Sequence, residues 1–93
     1  MLMLYCSACG KHANEYNWTL ETAASFSDGD KTCPTLLLLL LESLDDPQKY
    51  EDYQLVCPHC HEKVRIKQIT MPAREALLQY AQEVGEAYLR QRF

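Results

Sequence analysis

Four cysteines in two Cys-x-x-Cys pairs are the residues of this chain best suited to chemistry. Cys6 and Cys9 form the first pair, and Cys57 and Cys60 form the second. Two thiolates separated by two residues can converge on one ion, and four thiolates complete the tetrahedral coordination of structural Zn²⁺ sites. We therefore expect all four cysteines to bind one Zn²⁺. Because four thiolates leave no open coordination position, the expected role of the ion is structural and not catalytic.

Other residues near the pairs bear on the same site. His12, His59 and His61 are expected to be surface residues or hydrogen-bond donors to the sulfurs, and replacement of one thiolate ligand by a histidine is the alternative. Iron in a four-thiolate site would use the same spacing, so zinc is preferred only as the commoner metal. The fifth cysteine, Cys33, is predicted to be a small buried residue at the start of a helix.

Strands are predicted to position both pairs. Gln54 to Val56 leads into the second pair, and Lys63 to Lys67 follows it with alternating charged and apolar residues. A short strand from Leu2 to Tyr5 is expected to deliver Cys6. A strand, a Cys-x-x-Cys turn and a second strand are therefore the predicted frame of the metal site.

The segment between the pairs is predicted to contain one strand and one helix. Apolar residues alternate over 16–26, which predicts a long amphipathic strand, and the turn-forming residues 27–30 end it. The leucine-rich segment 36–44 is predicted to form a helix, since leucine favours helix over strand. The predicted core face of that helix excludes Leu38 and Leu39.

A C-terminal amphipathic helix is predicted over 71–91, and its apolar stripe excludes Leu78 and Leu89. Exposed apolar clusters mark protein contacts, so Leu78 and Leu89, together with Leu38 and Leu39, are candidate partner-contact residues. The alternative is that a small core covers both sides of these helices.

Size and composition favour one soluble α+β domain that spans residues 1–93. Hydrophobic residues make up 47% and charged residues 24% of the chain, as in ordinary globular proteins. The leucine run is far shorter than the roughly 20 apolar residues that cross a bilayer, and no leader is evident, so no membrane association is expected. Thiols in metal-binding spacing are typical of a reducing compartment, and we expect a cytoplasmic protein.

A basic stripe suggests nucleic-acid binding as an alternative. Lys63, Arg65 and Lys67 alternate along a predicted strand, and Arg74 follows them, so these four residues could contact phosphates. The aromatic residues that could stack on bases are Tyr16, Trp18 and Phe26. A net charge of −4 argues against non-specific binding, and the aromatic residues are expected to lie in the core.

The two pairs and the strand-like sequence after Cys60 resemble zinc-ribbon and zinc-knuckle domains. The resemblance implies a small zinc-ribbon-like antiparallel sheet, with the leucine-rich helix inserted between the pairs. The chain departs from the pattern because 10–56 is far longer than the roughly 15–20 residues usual between pairs, and His61 stands where many knuckles have glycine. The chain is also loosely similar to the zinc-binding, toxin-contacting domain of some bacterial antitoxins, which implies a partner-binding role.

The second pair has a further resemblance. Cys57-Pro58-His59-Cys60 is similar to the active-site tetrapeptide of strongly oxidising disulfide oxidoreductases, in which the thiolate is stabilised. Those enzymes place the pair at a helix N-terminus, whereas a strand is predicted to follow here, and the first pair would be unexplained.

These patterns together predict a non-enzymatic protein-interaction module, such as a small inhibitor or adaptor, stabilised by Zn²⁺. A nucleic-acid-binding or transcription-associated zinc ribbon is the leading alternative, followed by a thiol oxidoreductase. The expected partner is a protein, and a second copy of the chain is among the candidates.

Overall fold

The described part of the chain folds into three α-helices and two small antiparallel sheets, which confirms the α+β class. The structure, a computed structural model, describes residues 2–27 and 29–93. The elements in chain order are β1 (Met3–Tyr5), β2 (His12–Asn14), α1 (Glu15–Phe26), α2 (Leu36–Asp45), β3 (Gln54–Val56), β4 (Lys63–Arg65) and α3 (Arg74–Arg90). None of the helices in the described part of the chain combines the length and apolarity needed to cross a membrane.

Each sheet is a two-stranded hairpin that surrounds one cysteine pair. In the first hairpin Leu4 pairs with Ala13, and in the second Leu55 pairs with Val64. All four of these side chains are buried, so each hairpin turns one face to the core. The predicted strand–turn–strand frame is confirmed around the second pair, although β4 is shorter than predicted because a single 3₁₀ turn at 66–68 follows it.

The strand predicted over 16–26 is wrong, because this segment forms α1. Asn14 caps the helix by accepting a hydrogen bond from the Asn17 backbone N–H at 2.7 Å. The buried residues Trp18 and Thr19 lie four and three positions before the buried Thr22, as on one face of a helix. The alternation of apolar residues therefore coincided with a helical pattern, and the capping residue decided between the two.

The leucine-rich helix is confirmed as α2, which Thr35 caps by accepting a hydrogen bond from the Leu38 backbone N–H at 3.2 Å. The expectation that Leu39 lies outside the core is wrong, since its exposure is only 1%. Leu38 itself is half-buried. The reason is that α2 packs against both α1 and α3, so the core covers most of its circumference.

The C-terminal helix begins at Arg74, three residues later than predicted, and is interrupted at Gly85. Gly85 has φ 82° and ψ 168°, a conformation almost restricted to glycine. Leu77 is fully buried beneath the helix, and Leu89 is half-buried against the core. Leu78 is 46% exposed, as predicted.

A buried carboxylate joins the three helices. Glu15 is fully buried at the start of α1, and its Oε2 accepts hydrogen bonds from the Leu37 backbone N–H at 2.8 Å and the Thr19 hydroxyl at 2.9 Å. Its Oε1 accepts a hydrogen bond from the Tyr88 hydroxyl of α3 at 2.5 Å. The Thr19 hydroxyl in turn accepts from the Leu36 backbone N–H at 3.0 Å. We call Glu15 and these partners the carboxylate node.

The aromatic residues divide between core and surface. Trp18 is fully buried, as predicted, and its indole N–H has no hydrogen-bond partner among the described residues. The expectation that Tyr16 and Phe26 also lie in the core is wrong, since they are 46% and 45% exposed. Phe26 is the last residue of α1, and Tyr16 lies at the edge of the buried face that carries Trp18, Thr19 and Thr22.

Candidate metal centre

The first Cys-x-x-Cys turn is set by the hairpin that carries it. Cys6 directly follows β1, and its backbone N–H donates to the Lys11 carbonyl at 3.0 Å. The Gly10 backbone N–H donates to the Cys6 carbonyl at 2.8 Å. Gly10 has φ 73°, in the left-handed region that glycine adopts without steric cost. The turn therefore curls back and directs Cys6 and Cys9 to one side.

The second turn repeats this backbone arrangement. The Cys57 backbone N–H donates to the Glu62 carbonyl at 3.1 Å, and the His61 backbone N–H donates to the Cys57 carbonyl at 2.9 Å. His61 occupies the position equivalent to Gly10 and also has a positive φ, 59°. A non-glycine residue in this conformation is uncommon, so the turn geometry imposes it.

The four sulfurs converge on one point. The Sγ atoms of Cys6, Cys9, Cys57 and Cys60 all lie within 4.8 Å of one another. Two of the separations are 3.9 Å, from Cys6 to Cys60, and 3.7 Å, from Cys9 to Cys57. A tetrahedral centre with metal–sulfur bonds of about 2.3 Å places its sulfurs about 3.8 Å apart. The four cysteines predicted from the spacing are thus brought together in an arrangement that fits one metal ion.

Backbone donors around Cys57 favour its thiolate. The backbone N–H groups of His59 and Cys60 point at the Cys57 Sγ from 3.3 and 3.5 Å. Burial raises the pKa of the Cys57 thiol, but the hydrogen bonds from Cys60 and His59 outweigh it and lower that pKa to about 7. Because the thiolate is the form that binds a metal, these backbone donors favour coordination by Cys57, whereas the neighbouring cysteine sulfurs help to raise the pKa of Cys60 to about 12.

The histidines support the turns from outside the sulfur cluster. The His59 Nε2 lies 3.0 Å from the His12 carbonyl oxygen and so links the two hairpins. The His61 Nδ1 lies 2.8 Å from the Glu21 Oε1 and links the second turn to α1. His12, His59 and His61 are all exposed, which confirms the expectation that they are surface residues.

Cys33 lies apart from the cluster. It is 6% exposed, which confirms the predicted small buried residue, and burial raises the pKa of its thiol. Its backbone pairs with Phe93 through hydrogen bonds of 3.2 and 2.9 Å. The predicted turn at 27–30 includes Asp28, which lies outside the described residues.

The basic residues proposed for nucleic-acid contact are all exposed. Lys63 and Arg65 are on the outer face of β4, Lys67 is in the 3₁₀ turn, and Arg74 is the first residue of α3. The Lys63 Nζ lies 5.4 Å from the ring centroid of Phe26. Trp18 is fully buried and therefore cannot stack on a base.

The exposed apolar surface differs from the one that the sequence predicted. Of the four candidate partner-contact leucines, Leu78 alone is strongly exposed, while Leu39 is buried and Leu38 and Leu89 are half-buried. Leu20 is 39% exposed on α1, and the strand predicted over 16–26 did not indicate this, because in a strand Leu20 would share one face with Trp18. A helical projection of 15–26 would have separated Leu20 from Trp18 and Thr22.

Compared with protein-family models, curated protein sequences and solved structures, the chain gives no match.

Proposed function

We propose that this protein is a non-enzymatic protein-interaction module, a small inhibitor or adaptor of the cytoplasm, whose fold depends on a structural Zn²⁺ bound by Cys6, Cys9, Cys57 and Cys60. The observation that carries the zinc role is the convergence of four sulfurs from two distant segments of the chain at tetrahedral separations. Each hairpin has strands of only three residues, and isolated two-stranded hairpins are marginally stable in water. A metal that joins the two hairpins would supply the missing stability.

The geometry favours a structural role over catalysis. Four sulfur ligands would leave a metal no open position for a substrate. The pair Cys57 and Cys60 lies in a turn between two strands and not at a helix N-terminus, which disfavours the oxidoreductase alternative. Exposed apolar side chains one turn apart on α1, Tyr16 and Leu20, support the interaction role.

Native mass spectrometry of the untagged protein, combined with elemental analysis, tests the proposal. We expect one zinc per chain, and we expect chelation to remove the zinc together with the compact charge states. An insulin-reduction assay on the same sample should show no activity. A metal-free protein that is folded, reduces insulin and has lost the mass of the thiol hydrogens would overturn the zinc role and support the oxidoreductase.

Nucleic-acid binding is the second candidate, because Lys63, Arg65, Lys67 and Arg74 are all exposed. It predicts that affinity for random oligonucleotides falls steeply with salt. The slope of log affinity against log salt concentration should become shallower by about 0.7–0.9 for each phosphate contact removed. Arg65→Ala should then reduce the slope, and Arg90→Ala is the matched control, because Arg90 is exposed but paired with Glu86 at 3.1 Å. The net charge of −4 leads us to expect no measurable binding at physiological salt.

A further inference from the structure

A groove runs between α1 and the C-terminal residues 91–93. Its volume is about 410 Å³, within the range of about 300–1,000 Å³ typical of ligand pockets. Leu20, Ala23 and Ala24 of α1 line one side, and Phe93 lines the other. Two alanines in succession leave a depression beside Leu20, which can receive a bulky side chain.

The far wall of the groove is fixed by backbone pairing. Phe93 exchanges two backbone hydrogen bonds with Cys33, and Arg92 forms a bridge with Pro34. The Phe93 ring packs edge-on against Tyr16, with centroids 6.1 Å apart. The groove is thus preformed, and a ligand would not have to order the C-terminal residues on binding.

Apolar surface on the α1 side of the groove is accessible. Leu20 is 39% exposed, and Tyr16, one helical turn before it, is 46% exposed. Leu20 lines the groove and Tyr16 packs against Phe93, so together they form an apolar stripe along α1 beside the C-terminal residues. Covering such a stripe removes apolar surface from water, which is the main favourable contribution to protein association.

Two cationic side chains stand at the rim of the groove. Lys31 and Arg92 line the groove, and none of its described lining residues is acidic. The ion pairs found within residues 2–27 and 29–93 join Lys49 to Glu42, His61 to Glu21 and Arg90 to Glu86, so neither rim cation takes part in them. A cationic rim is unusual on a chain whose net charge is −4. Complementary charge on a ligand would therefore be negative.

We propose that this groove is the docking site for an acidic segment of a partner protein, in which a bulky apolar residue fills the depression beside Leu20 and flanking carboxylates meet Lys31 and Arg92. The proposal rests on the interaction role proposed above and names the surface and the partner chemistry. Leu20 would supply most of the affinity, and the two cations would set the preference for acidic sequences and speed association.

Selection from a random 12-residue peptide library against the zinc-loaded protein tests this inference without prior choice of a ligand. We expect enriched peptides to contain a bulky apolar residue flanked by Asp or Glu. Fluorescence anisotropy with the best peptide should then show a loss of affinity of about tenfold or more for Leu20→Glu, and a smaller loss for Arg92→Glu, which weakens as salt is raised. Met71→Glu is the matched control, because Met71 is 42% exposed and does not line the groove, and it should leave affinity unchanged. Leu78→Glu tests the other exposed leucine, on α3.

Each other outcome overturns the groove. The first such outcome is that the selection enriches no sequence, and the second is that it enriches basic peptides. The third is that the selected peptides lose affinity for Leu78→Glu and not for Leu20→Glu, which would move the proposed interaction role to another surface. A concentration-dependent dimer mass that Leu20→Glu abolishes would assign the groove to a second copy instead. Zinc content and circular dichroism of every variant show that it is folded, so failure of the zinc role is recognised separately.

Discussion

The sulfur cluster and the carboxylate node do the same structural task with different chemistry. The cluster can join two hairpins through one metal ion, and the node joins three helices through one buried carboxylate. Both replace apolar packing that a small domain cannot supply in sufficient amount. The cluster requires a component from outside the chain, whereas the node is complete within it. This difference predicts that the two regions fail under different conditions.

Removal of one thiolate should have the largest effect. We expect Cys6→Ser to lose the zinc and the cooperative fold, because the binding free energy of structural zinc, about 10–16 kcal/mol in zinc-finger peptides, matches the whole stability of a small domain, about 5–15 kcal/mol. Elemental analysis and the near-ultraviolet signal of Trp18 measure the two losses. Cys33→Ser is the matched control, since Cys33 is buried but lies outside the cluster, and it should keep its zinc. A cooperative melt of Cys6→Ser close to that of the parent would contradict the structural role.

Loss of the node carboxylate should be the next largest effect. We expect Glu15→Ala to lower the free energy of unfolding by about 3–5 kcal/mol, because the Leu37 N–H and the hydroxyls of Thr19 and Tyr88 lose their buried acceptor. Denaturant titration measures the loss, with the exposed Glu86→Ala as control. The variant should still bind one zinc, which separates the node from the cluster. Zinc loss without chelator would show that the two regions are not independent.

The two regions also differ in how far the sequence reveals them. Four cysteines at fixed spacing identify the cluster directly, because each ligand is a residue type with few other uses in that pattern. The node depends on Glu15, which looks like one more charged residue in a polar connection, and its partners come from positions 37 and 88. Only the packing of α2 against α1 and α3 brings them together. The same packing explains why Leu39 is buried, and why residues 16–26 could not be assigned by alternation alone.

The interruption of α3 at Gly85 should affect stability, because it positions a residue of the carboxylate node. Tyr88 follows the glycine that interrupts the helix, so a change of path at Gly85 moves the hydroxyl that donates to Glu15. A Cβ at Gly85 would meet no atom within 4 Å, so the cost of Gly85→Ala is conformational alone, about 1–3 kcal/mol. Denaturant titration should show that loss with the zinc content unchanged. D-alanine at this position, introduced by chemical synthesis, should restore stability, and equal loss in both proteins would exclude backbone strain as the cause.

Acid and alkali should weaken the two regions selectively. Protons compete with zinc for the four thiolates, so acid should release the zinc and remove the stability that the cluster contributes. Burial and the hydrogen bond to Glu15 raise the pKa of Tyr88, so its contribution is complete below its ordinary value of 10.0 and is lost as pH rises through the folded value.

Unfolding at a series of pH values, with zinc measured at each, checks both directions. Tyr88→Phe should remove part of the alkaline loss and leave the acid loss unchanged, because a phenylalanine ring cannot ionise while the thiolates are unaffected. If Tyr88→Phe also altered zinc release in acid, it would be wrong to assign the acid loss to the sulfur cluster and the alkaline loss to the carboxylate node.

The smallest expected effect is a difference between the two Cys-x-x-Cys turns of the sulfur cluster. Gly10 and His61 hold the same left-handed position, but glycine reaches it freely, whereas a side chain there costs about 1–2 kcal/mol. Gly10→Ala should therefore destabilise the zinc-loaded protein by about 1 kcal/mol, since the added Cβ would lie at an ordinary 3.7 Å from the Tyr5 hydroxyl. His61→Gly should gain a similar conformational contribution but lose the link to Glu21, which is exposed and contributes about 0–1 kcal/mol. The net change in the free energy of unfolding for His61→Gly should be close to zero or stabilising. Glu21→Ala measures the link alone, and destabilisation by His61→Gly beyond that value would show that His61 has a role other than bridging the turn to α1.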